Sequence, residues 1–151
     1  MSDLGRILLA DDDPNDVELT LAALAQNHLA NEVVVARDGA EALEFLQGRG
    51  RFAGRASENP AVVLLDIKMP KVDGLEVLRC IRQDAKLRAI PVVMLTSSRE
   101  DKDVVESYHL GVNAYVVKPV DFRAFIDAVK NVGLFWAVLN QPPPGSARRT
   151  P

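Results

Sequence analysis

Three consecutive aspartates, Asp11, Asp12 and Asp13, close the apolar run Ile7-Leu8-Leu9-Ala10, and a fourth, Asp66, closes Ala61-Val62-Val63-Leu64-Leu65. Thr96 and Ser97 stand directly after Pro91-Val92-Val93-Met94-Leu95, and Lys118-Pro119 directly after Ala114-Tyr115-Val116-Val117. Carboxylates gathered at one place repel one another unless they are protonated or bridged by a cation, and oxygen ligands suit hard Mg²⁺. Helix capping explains one aspartate of the triplet, Asp13, but not three. Asp66 alone reads equally well as a cap or turn residue; its company raises it to a metal-site candidate. A lysine facing a metal and a carboxylate neutralises charge on a phosphoryl group, and the Thr96 hydroxyl can donate to the same group.

These residues share a rim only if the runs that precede them are neighbouring strands. Val33-Val34-Val35-Ala36 supplies a further β-branched run, making five. Between them lie helical patterns. Asp13 and Pro14 suit a helix start, with Val17, Leu21 and Leu24 on one face. Asp38-Gly39 opens a second helix with Ala42, Leu43, Phe45 and Leu46 apolar, and a third carries Leu75, Leu78 and Ile81. A fourth runs from about Asp101 to Leu110 and stops at Gly111, and a fifth from Asp121 to about Leu139. Gln47 to Pro60 lacks helical period and reads as a long surface loop. Strands alternating with helices predict right-handed crossovers and a parallel sheet covered on both faces, a three-layer α/β sandwich. In such a sheet ligands bind beyond the carboxyl ends of the strands, where the aspartates, Thr96 and Lys118 all stand.

With 151 residues the chain fits one domain, and 48% hydrophobic with 26% charged residues allows a sizeable core. The net charge is −3, and setting aside Arg148 and Arg149 in the tail leaves −5 on the body, which argues against nucleic-acid binding. A single cysteine, Cys80, and the lack of a basic-then-apolar start favour a cytoplasmic location, and no apolar run is long enough for a membrane span. The expected organisation is a domain over residues 1–140 and a Pro-rich tail over 141–151.

From about Arg6 to Val132 the pattern resembles the receiver domain of two-component response regulators. Asp11-Asp12, Asp66-Ile-Lys-Met-Pro-Lys-Val-Asp-Gly74, Thr96-Ser97 and Lys118-Pro119 occur in order, with separations of 30 residues from Asp66 to Thr96 and 22 from Thr96 to Lys118. The resemblance implies a flavodoxin-like sheet in the order 2-1-3-4-5 with five helices. It implies that Asp66 is the phospho-acceptor, a nucleophile of a signalling protein rather than of an enzyme, with Mg²⁺-dependent self-phosphorylation and slow self-dephosphorylation. Asp12, Asp66 and the Lys68 backbone carbonyl would bind Mg²⁺ directly and Asp11 through water. Lys118 would pair with the phosphoryl group, Thr96 and Tyr115 would act as switch residues, and Lys118-Pro119 would be a cis peptide. The motif Asp13-Pro14-Asn15-Asp16, the loop Gly48-Arg49-Gly50-Arg51-Phe52 and the ending Phe135-Trp136 before Pro142-Pro143-Pro144 look like the stand-alone regulators paired with bacterial phytochrome histidine kinases. The implied partner is a sensor histidine kinase, with a downstream protein or, alternatively, a histidine phosphotransfer protein that takes the phosphate onward.

A Mg²⁺-dependent aspartyl-phosphate phosphohydrolase competes with this reading, but normally carries a second acid two residues beyond its nucleophile, where this chain has Lys68. A flavodoxin needs a phosphate-cradling first loop, which Asp11 to Asp13 would repel. Phe122, Phe125, Ile126 and Val129 supply a sheet-covering face in the fifth helix, whereas Leu134, Phe135, Trp136, Val138 and Leu139 are spread too widely around it to hide on one monomer. A homodimer held by residues 121–140, including Phe122, Phe135, Trp136 and Leu139, is therefore expected.

Overall fold

The computed structural model describes residues 6–26, 32–54, 59–118 and Arg123. Five strands, β1 (Arg6–Ala10), β2 (Glu32–Ala36), β3 (Val62–Leu65), β4 (Val92–Thr96) and β5 (Ala114–Val117), form one parallel sheet in the order β2-β1-β3-β4-β5. Four helices link them: α1 (Pro14–Gln26), α2 (Gly39–Gln47), α3 (Gly74–Gln83) and α4 (Asp101–His109). The expected fifth helix falls outside the described residues except for Arg123, which is helical. The Pro119 peptide, the dimer residues Phe122, Phe135, Trp136 and Leu139, and the tail also lie outside them.

Alternation along the strands sorts the core into two layers. Leu8, Ala10, Val63, Leu65, Val92 and Met94 face α2 and α3, packing with Phe45, Leu46, Val77, Leu78 and Ile81. Ile7, Leu9, Val62, Leu64, Val93, Leu95, Ala114 and Val116 face the other way, onto Val17 and Leu24 of α1. Strands buried on both faces need apolar residues at every position, which is why the runs are so plain in the sequence. Val77 joins the buried face of α3, one position that the expected Leu75, Leu78 and Ile81 stripe omits.

Aspartates cap the first three helices. The Asp13 carboxylate accepts the N–H groups of Asn15 (2.9 Å) and Asp16 (3.3 Å), Asp38 caps α2 through Glu41 N–H, and Asp73 caps α3 through Glu76 N–H. Helix α2 ends on Gly48 in the left-handed region, φ 67°, where a side chain would be strained.

The expected loop from Gln47 to Pro60 is partly structured: Gln47 closes α2, and Gly50–Phe52 makes a 3₁₀ turn. Phe52 anchors this turn, its ring edge-on to Phe45 with centroids 5.1 Å apart and the Arg51 guanidinium 4.6 Å above it. An aromatic anchor in an arginine and glycine run has no period, so the sequence pattern hides it.

Candidate functional site

At the carboxyl edge of the sheet the hydrogen-bond ladder runs one residue past the strands: Asp11 N–H donates to Ala36 O and Asp66 N–H to Ala10 O, each at 3.0 Å. Both backbones are thereby fixed side by side, and their carboxylates meet. Oxygens of Asp11, Asp12 and Asp66 lie within 4.8 Å of one another. Asp11 is 1% and Asp66 7% exposed, whereas Asp12 faces solvent. Asp13 stands apart as the cap of α1, as its sequence position suggested.

Two glycines hold the loop that follows Asp66. A Cβ on Gly74 would lie 2.0 Å from the Asp66 carbonyl oxygen, and one on Gly39 would lie 1.9 Å from the Val72 carbonyl oxygen. The starts of α3 and α2 therefore press directly on the loop backbone, and only glycine permits the contact. Between them Lys71 takes φ 70°, and Val72 N–H donates to Pro70 O at 2.8 Å across it.

Lys118, 9% exposed, brings its ammonium into the acidic cluster. Nζ donates to Asp11 Oδ2 at 2.5 Å, to Asp66 Oδ2 at 2.9 Å and to Asp16 Oδ2 at 2.9 Å. Burial works against this charge, but the three carboxylates outweigh it and raise the lysine above its ordinary value, so it stays protonated. Burial also pushes the Asp11 carboxyl up, resisted by its hydrogen bonds from Lys118 and from the Asp13 backbone. Asp66 Oδ1 is buried and has no hydrogen-bond partner, so the cluster keeps one acceptor in reserve. An unsatisfied buried carboxylate oxygen beside two more carboxylates fits a hard, oxygen-seeking cation.

Thr96 is fully buried, and its Oγ1 accepts Ser98 N–H at 3.3 Å. Tyr115 donates its hydroxyl to the Ser98 carbonyl at 3.0 Å, and Ser98 Oγ is 2.5 Å from Asp103 Oδ2. Burial raises the Tyr115 phenol above its ordinary value, so it remains a donor. Lys68 directs its exposed side chain to Asp103, Nζ to Oδ2 3.9 Å. Helix α4 is thus turned against the usual pattern: Asp103 and Ser107 are buried, while Val105 and Tyr108 are exposed.

The structure therefore brings together Asp11, Asp12, Asp66 and Lys118, and places Thr96 and Tyr115 on the N–H and the carbonyl of one loop residue, Ser98. Sequence reasoning missed Asp16, Ser98 and Asp103 as partners. Asp16 lies three residues after the cap, in the first turn of α1, where an acid reads as a helix-start residue and gives no sign of Lys118.

Comparison with known proteins agrees with this arrangement. Residues 7–130 match the response regulator receiver domain family. Response regulator Rcp1 of Synechocystis sp. is 38% identical over 130 residues, covering 86% of this chain and 87% of the relative. Its Mn²⁺-bound structure has a TM-score of 0.74 at 37% identity, covering 92% of this chain and 99% of that one. The bacteriophytochrome response regulator RtBRR has a TM-score of 0.82 at 61% identity, covering 94% of this chain and 86% of that one. The phosphorylated cyanobacterial phytochrome response regulator RcpA has a TM-score of 0.74 at 39% identity, covering 87% and 93% respectively. With its sheet order, its acidic cluster and a family match running through β1 to β5, this chain belongs to the response regulator receiver domain family and is related to the phytochrome response regulators.

Proposed function

We propose that Asp66 accepts a phosphoryl group from the phosphohistidine of a sensor histidine kinase. The observation that carries the reading is Asp66 itself: a buried carboxylate with one oxygen on Lys118 and the other without a partner. An Asp66 oxygen forms the new O–P bond as the donor's N–P bond breaks, and the leaving imidazole keeps the electron pair and takes up a proton. Lys118 holds an N–H toward the phosphoryl oxygens, and the Thr96 hydroxyl is the second donor. Asp11, Asp12, Asp66 and the Lys68 carbonyl would hold Mg²⁺, consistent with the Mn²⁺-bound relative. That cation supplies charge neutralisation for the incoming phosphoryl oxygens. Water attack on the acyl phosphate later returns Asp66 and releases inorganic phosphate, slowly.

The similarity to phytochrome response regulators supports a phytochrome histidine kinase as the donor. Receiver chemistry occupies residues 1–140, with 121–140 making a homodimer through Phe122, Phe135, Trp136 and Leu139 and 141–151 as a tail. Phosphorylation alters the surface of α4 and β5, read by a downstream protein, because Thr96 and Tyr115 meet at Ser98 between site and surface. Among the described residues no helix is long and apolar enough to cross a membrane.

Acetyl phosphate with Mg²⁺, followed by peptide mass spectrometry, tests the acceptor. Label on Asp66, lost in Asp66→Asn, is the expected result; label elsewhere, or unchanged labelling of the variant, overturns it. Sedimentation of the chain with and without residues beyond Val132 tests the dimer. A monomeric full chain at micromolar concentration, or a dimer that survives truncation, excludes it.

A further inference from the structure

An ammonium has three N–H donors and no acceptor, and in Lys118 each donor is already taken, by Asp11, Asp66 and Asp16. A phosphoryl oxygen can receive a bond from this lysine only if one carboxylate gives way. Asp11 is poorly placed to do so, because it is buried and its Oδ1 also accepts the Asp13 N–H at 3.0 Å. Asp66 is the group that carries the phosphoryl. Asp16 differs from both: its side chain is 35% exposed, it belongs to α1 rather than to the strand ends, and it is outside the trio that approaches within ligand distance. It can turn to water at little cost, as partly exposed ion pairs do.

We propose that Asp16 is a positioning residue for Lys118, holding the lysine's third donor toward α1 in the unphosphorylated site and releasing it to the phosphoryl oxygen. The proposal rests on Asp66 being the acceptor. Asp16 also adds a negative charge beside an anionic donor's path, so both effects slow phosphorylation and tune it to donors that dock well. An acid that merely favours the helix N-terminus would affect neither the lysine nor the rate.

The test uses the full chain, Asp16→Ala and the conservative Asp16→Glu. In metal-free protein the ¹⁵Nζ resonance of Lys118 moves in Asp16→Ala and stays near the wild-type position in Asp16→Glu. With Mg²⁺ and acetyl phosphate, Asp16→Ala is phosphorylated about two- to fivefold faster, mostly through tighter half-saturation, and Asp16→Glu returns to the wild-type rate. An unmoved Lys118 resonance, or an Asp16→Ala rate equal to or below wild type, overturns the proposal. If Asp66 of the wild type takes the label while the Asp16 variants behave as wild type, only the role of Asp16 fails. If Asp66 takes no label, the acceptor reading fails, and the resonance alone still decides whether Asp16 positions the lysine.

Discussion

Lys118 and Asp66 meet across a strand that carries neither: Nζ lies 2.9 Å from Asp66 Oδ2, although β4 stands between β3 and β5. The lysine therefore ties the end of β5 to those of β3 and β1 over the buried Thr96. Removing it leaves buried carboxylates facing one another without a cation. Lys118→Met is expected to lower the unfolding free energy by about 3–5 kcal/mol in metal-free buffer, read from urea denaturation. Millimolar Mg²⁺ should recover part of that loss.

A divalent cation that binds the folded cluster and not the unfolded chain stabilises by mass action. At a hundred times its dissociation constant the gain is about 2.7 kcal/mol. Thermal unfolding of the wild type should shift upward with Mg²⁺ and saturate. Asp12→Asn, at the solvent-facing member of the cluster, should abolish most of the shift while leaving the metal-free midpoint nearly unchanged.

Asp11 gives the stability a pH dependence of definite sign. Its folded carboxyl is held above the ordinary 3.8 by burial, so just above that pH the folded chain retains a proton that the unfolded chain has lost. The contribution of this group is thus present at low pH and lost as pH rises through the folded value. Urea midpoints of metal-free Asp11→Asn, measured against wild type from pH 4 to pH 7, should show the variant gaining relative stability as pH increases. A difference that is flat or falls would contradict the assignment.

The sequence made the sheet legible because both-face burial forces unbroken apolar runs, and the chain punctuates each with the polar residue that forms the rim. Asp11, Asp12, Asp66, Thr96 and Lys118 could be named from position alone. Asp16 could not, because its partner lies 102 residues away and their meeting depends on the angle at which α1 leaves the sheet. Ser98 and Asp103 escaped for another reason: α4 buries its polar side, so apolar periodicity points to the wrong face. Phe52 was hidden among arginines and glycines, where a single anchor leaves no repeat.

The Ser98–Asp103 contact makes the entrance to α4 sensitive to small changes. Ser98→Ala leaves the buried Asp103 carboxylate with Lys68 at 3.9 Å and should cost about 1–3 kcal/mol. Amide exchange should rise first over 101–104, and beryllofluoride-induced shifts at Tyr115 should grow smaller. Unchanged exchange there would show that the serine does not restrain the helix.

The contacts made by Gly39 and Gly74 give the acceptor a rigid side. Each helix start packs so closely that a Cβ added at Gly39 or Gly74 would fall 1.9 Å or 2.0 Å from a carbonyl oxygen of the Asp66–Gly74 segment. Charge arriving on Asp66, as proposed, would then do its mechanical work away from this flank. On the proposed reading the glycines would act as the anvil, and displacement would pass through Thr96 toward α4 rather than into α2 and α3. A domain built this way would act as a rectifier: the covalent event proposed for Asp66 would leave one flank of the sheet still and move the other.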